Sequence, residues 1–93
     1  MLSEIPIKME KVAKKTLDME ILRAAIIAEL DAVNLYEQFA STTENAELKK
    51  ILLEVAKEEK THVGEFQTLL LKMDKEQVEE LDKGRKEVEE LTK

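Results

Sequence analysis

The chain holds a single histidine, His62, with a glutamate three residues before it, Glu59. Residues three apart on a helix are surface neighbours, so imidazole and carboxylate would project side by side. Each interrupts a row that is otherwise apolar. The rows Leu48–Val55–His62–Leu69 and Leu52–Glu59–Phe66–Met73 repeat every seven residues, a period that stays on one helix face. Upstream, Leu22–Glu29–Tyr36 places Glu29 in a third row of the same kind. A carboxylate desolvated without partners costs several kcal/mol, so three ionisable groups at seam positions need a shared reason. Two carboxylates and an imidazole form a donor set for a transition metal. Iron suits it, because carboxylates bridge two ions and take up charge while imidazole supplies nitrogen.

Two long helices must position these residues, with a short third helix following. Thr16 or Asp18 can cap the first, and apolar residues from Leu22 through Ala40 recur at helical spacing to about Ser41. The segment Ser41-Thr42-Thr43-Glu44-Asn45 is a turn cluster, since its short polar side chains favour caps over helix interiors. A second helix runs from about Asn45 to Met73. Asp74 followed by Gln77 is a capping-box pattern that starts a third, ending near Thr92. That helix has a thin apolar face of Val78, Leu81, Val88 and Leu91, and Gly84 weakens it by ~1 kcal/mol against alanine. Residues 1–15, with Pro6 and a lysine-rich patch, read as an N-terminal arm; 16–73 form a helical hairpin and 74–93 a C-terminal helix or tail. Glu29 and Glu59 are equidistant from a turn centred near residue 44, so the hairpin brings them face to face with His62 one turn along. Helices of roughly 40 Å, at ~1.5 Å per residue, cannot hide their stripes in a lone hairpin. The expected fold is all-α, with two hairpins dimerising into a four-helix bundle.

Composition narrows the function. With 93 residues, of which 39% are charged, one small domain is the limit, and association with copies of itself would complete its core. Zero Cys removes disulfides, thiolate nucleophiles, zinc ribbons and iron–sulfur ligation. Fifteen Lys and Arg against 21 Asp and Glu give a net charge of −6, unsuited to a phosphate backbone. Aromatic residues at 3%, with no Trp, leave no stacking platform, so nucleic acid is not an expected partner. No apolar run approaches the ~20 residues needed to cross a bilayer, and no signal peptide is evident. An intracellular, cytoplasmic protein is expected.

Glu on one helix opposite Glu-x-x-His on its neighbour is half of a di-iron carboxylate site. The full site uses four carboxylates and two histidines. One chain offers Glu29, Glu59 and His62, so two chains must supply the six ligands. On the residues alone a plainer reading stands beside this one. Glu59 lies in the charged run Lys57-Glu58-Glu59-Lys60, which suits a solvated face, and His62 could be a core histidine satisfied by the backbone. Tyr36 reads as core filling, and Asp31, off the main stripe, as surface.

The pattern Glu29-Leu-Asp-Ala-Val-Asn-Leu-Tyr36, a turn, then Glu58-Glu59-Lys-Thr-His62 resembles the encapsulated ferritins of the rubrerythrin and ferritin superfamily, over about residues 18–73. The stretches AAIIAELDAVNLYEQ and KILLEVAKEEKTHVGEF resemble the archaeal branch, in which such a domain precedes an encapsulin shell protein in one polypeptide. The resemblance implies a ferritin-like four-helix bundle made by a homodimer, with dimers assembled into a ring, typically a decamer. It also implies a ferroxidase centre between subunits, which oxidises Fe(II) with oxygen for iron storage inside an encapsulin nanocompartment, the chain being cargo or a fused domain. Glu29, Glu59 and His62 take the ligand positions, Tyr36 the tyrosine beside the centre, and Asp31 an acidic position towards the metal entry route, a weak secondary site. Ala28 stands where some relatives have a second acid, and Leu35 where some have tryptophan. A C-terminal peptide of the kind that docks free cargo to a shell is not evident after Leu91.

The competing class is a non-catalytic oligomerisation or adaptor module, in which the polar seam residues specify register. Stoichiometric iron uptake separates the two. Oxygenase or peroxide-scavenging chemistry ranks third, since no Cys pairs for electron delivery are present.

Overall fold

The computed structural model describes residues 14–93, which form three α-helices: α1, Lys14–Thr42; α2, Ala46–Met73; and α3, Lys75–Leu91. Among the described residues there is no strand. Most of the arm expected over 1–15 lies outside the described residues, but Lys14 and Lys15 belong to α1. Thr16 and Asp18 lie within that helix, so neither caps it. A side chain that can cap does so only where the chain leaves the helix, and here the Lys-rich run continues it.

The turn between α1 and α2 is built from its own side chains. Ser41 and Thr42 donate their hydroxyls back to the Gln38 carbonyl, each at 2.8 Å, and the Thr43 amide makes the last helical bond, to the Phe39 carbonyl at 3.1 Å. Thr43 Oγ1 then accepts from the Asn45 amide at 3.1 Å, and Asn45 Oδ1 caps α2 by accepting from the Leu48 amide at 2.9 Å. This directs α2 back along α1, and Lys60 meets Glu37 across the pair at 3.4 Å.

The two long helices touch through small or branched residues: Leu22, Val33 and Ala40 on α1, Ala56 and Leu70 on α2. Ala40 and Ala56, exposed by only 1% and 2%, let the backbones come close. Ala56 is absent from the apolar stripe expected of the sequence. Much of that stripe stays at the surface, including Leu48, Ile51, Leu69 and Met73, as does Phe39 on α1. A helix with a broad apolar face can turn only part of it towards one partner.

A single residue separates α2 from α3. The Asp74 amide still donates to the Leu70 carbonyl at 2.9 Å, while Oδ1 of the same residue accepts from the Gln77 amide at 3.0 Å and caps α3. Its backbone, at φ −118° and ψ 89°, breaks the helical path. The capping box is thus half formed, because the amide that Gln77 would satisfy already belongs to α2. No residue of α3 is buried. The radius of gyration is 16.7 Å, against about 12 Å for a compact domain of similar length.

Candidate metal centre

Glu29 lies midway along α1, and Glu59 and His62 share one face of α2. The antiparallel register set by the turn brings the three together, with one ligand atom from each lying within 4.8 Å of the others. His62 Nδ1 is 3.4 Å from Glu29 Oε2 and 3.4 Å from Glu59 Oε2. That is longer than the about 2.7–3.2 Å of a good N–H···O bond. It is an ion-pair separation if the imidazole is protonated, and it equally suits a shared cation, since donors ~2.1 Å from one ion lie ~3.4 Å apart at the tetrahedral angle and ~3.0 Å at a right angle.

The carboxylates are mostly shielded and the imidazole less so, with side-chain exposures of 20% for Glu29, 18% for Glu59 and 43% for His62. The cluster therefore sits at the flank of the hairpin rather than between its helices. Val55, Phe66 and Leu52 border it in the same rows and are also half-buried. The rows that carry His62 and Glu59 are thus the side of α2 that a lone chain leaves partly open.

Of the other expected residues, Tyr36 is half-buried and packs edge-on against Phe39, ring centroids 6.5 Å apart and planes at 73°. Phe39 is itself 49% exposed, so this is a contact between neighbours along one face of α1. Asp31 is half-buried and lies outside the cluster of three. Ala28 is exposed and Leu35 half-buried. Among the described residues no second group of His, Cys, Asp or Glu is close enough to hold a metal ion. Nor is any described helix long and apolar enough to cross a membrane.

Sequence reasoning passed over Arg23. Its guanidinium reaches Asp74 Oδ2 at 3.1 Å from 51 residues away, and no local pattern signals so distant a contact. Asp74 is held below the ordinary carboxylate value of 3.8, first by the Gln77 amide and then by Arg23.

Comparison with known proteins bears on the same segment. The rubrerythrin family model matches residues 20–93. A ferritin-like–encapsulin shell fusion protein of Pyrococcus furiosus is 66% identical over 74 residues, covering 80% of this chain and 21% of that protein. The encapsulin nanocompartment cargo protein EncC of Myxococcus xanthus is 41% identical over 69 residues, covering 71% of this chain and 53% of that protein. The chain thus spans about a fifth and about half of these two curated relatives. The crystal structure of the encapsulated ferritin domain from Pyrococcus furiosus superposes with a TM-score of 0.85 at 56% identity, covering 99% of this chain and 94% of that one. With the family model matched over most of its length and a solved ferritin domain overlaid from end to end, the chain belongs to the rubrerythrin family as a ferritin-like domain.

Proposed function

We propose that the chain is one half of a ferroxidase, two copies of which make a di-iron centre. The observation that carries this is the Glu29, Glu59 and His62 cluster, whose donor atoms lie at ion-sharing distances on a flank left partly open. A second hairpin laid against that flank would supply the other Glu, Glu and His and bury the exposed stripe residues, giving the ferritin-like four-helix bundle. Rings of such dimers, typically decamers, are the larger assembly proposed.

The substrate is Fe(II), and oxygen is the electron acceptor. Four carboxylates around two ions tolerate the added charge of Fe(III), while the two imidazoles retain Fe(II) by nitrogen donation. Tyr36 stands beside the centre as an orienting residue, and Asp31 on the approach for incoming metal. The relatives named above are a shell fusion and a shell cargo, which supports placing this domain with an encapsulin, inside its compartment and in the service of iron storage. In this reading 16–73 is the iron-handling hairpin and 74–93 an appendage.

Native mass spectrometry with and without Fe(II), paired with oxygen-dependent absorbance growth, tests the proposal. Two irons per dimer and oxidation that needs oxygen are expected. Assemblies that take up no stoichiometric iron would make the chain a helical assembly module instead, and a monomer binding two irons would refute the shared site.

A further inference from the structure

The angle between α3 and the hairpin has little apolar packing behind it. No residue of α3 is buried, and Val78 and Leu81 near its base are each 45% exposed. Where the three helices meet lies an open apolar groove of about 320 Å³, lined by Ile26, Ile27, Leu70 and Leu81 with Arg23 and Gln77. Side chains do not wedge the corner shut. Against this stands one densely bonded residue. Asp74 ends α2 with its amide, starts α3 with Oδ1, and accepts the Arg23 guanidinium on Oδ2. The Asp74 side chain is 14% exposed and that of Arg23 45%, so the carboxylate end of the pair is shielded by its bonds while the guanidinium stays open to water.

We propose that Arg23 and Asp74 form a latch that fixes the direction in which α3 leaves the hairpin. The Val78 amide also donates to the Asp74 carbonyl at 3.3 Å, so three of the four bonds run along the linker and hold its local conformation. The fourth ties the linker to α1, a separate element, and this is what converts a local turn into a set angle. Released from Arg23, the linker is left with a soft φ, ψ pair at Asp74, and α3 can swing about it. The latch thereby sets how the exposed row Val78, Leu81, Val88 and Leu91 is presented. This inference rests on the hairpin and elbow, and stands or falls independently of iron chemistry.

The chain has no Cys, so a labelled pair can be introduced cleanly, with Lys50→Cys on α2 and Glu87→Cys on α3, both exposed positions. Spin-labelled protein diluted into unlabelled protein, which keeps the distances within one chain, would be measured by double electron–electron resonance. Arg23→Gln removes the tie without touching the cap, and Asp74→Asn keeps a capping oxygen while removing the charge. A narrow distribution is expected for the parent, and at least about a doubling of its width in both variants, as for a freed hinge. Circular dichroism should show the helices retained. Unchanged widths in both variants overturn the proposal. So does broadening in Asp74→Asn alone, which would place the effect in the cap.

Discussion

His62 and Tyr36 are both half-buried, yet their losses should differ in kind. On the proposed ferroxidase reading His62→Ala removes the cluster's only nitrogen donor, so Fe(II) affinity and oxidation rate should both collapse, with helicity retained because the side chain is 43% exposed. Tyr36→Phe keeps the edge contact with Phe39 and deletes one hydroxyl. Iron stoichiometry should persist while the oxidation rate falls by ~10-fold, the scale of changes just outside the ligand sphere. Stopped-flow oxidation and iron titration on both variants check this. Equal loss of binding in Tyr36→Phe would make the phenol a ligand, and normal oxidation by His62→Ala would leave the cluster without catalytic meaning. The cluster was legible in the sequence because its members recur in seven-residue rows and the turn position fixes the register. The rows do not reveal which flank of the hairpin they occupy. That depends on which positions the packing buries, and Ala56, 2% exposed but small and next to charged Lys57, gives no such signal in the sequence.

Between α2 and α3, the local chemistry was readable and the global angle was not. Asp74 caps Gln77 as its spacing suggests, whereas its tie to Arg23 depends on a residue 51 positions away. The start of α1 misled for the converse reason, since Thr16 and Asp18 carry capping side chains at positions where the helix simply continues. The lowered Asp74 value has a signed consequence. A carboxyl whose folded value lies below its unfolded value near 3.8 stabilises the fold above that pH, and the benefit is lost as pH falls through the folded value. Arg23 on α1 and the Gln77 amide on α3 are the groups bonded to it. Unfolding curves should therefore show a constant deficit of Asp74→Asn against the parent above about pH 5, closing in stronger acid. A deficit that widened in acid would contradict the assigned contacts. Gly84 offers a second test within α3, since a Cβ added there meets nothing within 4 Å. Gly84→Ala should stabilise the helix by about 1 kcal/mol, read from denaturant midpoints, and a loss would reveal a surface pressed against that face in solution.

At the scale of the molecule, the core seen among the described residues of one chain consists of five buried residues, two of them alanine, while many large apolar side chains remain outside. So small a core leaves the isolated hairpin marginal, and in the proposed dimer association contributes much of the stability. The melting temperature should accordingly rise with protein concentration, and rise further with Fe(II), because both act on the associated form alone. A concentration-independent transition would mean that the lone hairpin is self-sufficient.

The single imidazole per half-site has a consequence for inheritance. In a cell producing parent and His62→Ala chains equally, random pairing leaves only about a quarter of dimers with both histidines, about half with one and about a quarter with none. A defect in one gene copy would thus reach about three quarters of all centres, although half of the chains are sound. On the shared-site reading the lesion is semi-dominant rather than recessive, and co-expression of differently tagged chains would expose the mixed class as a separate kinetic population.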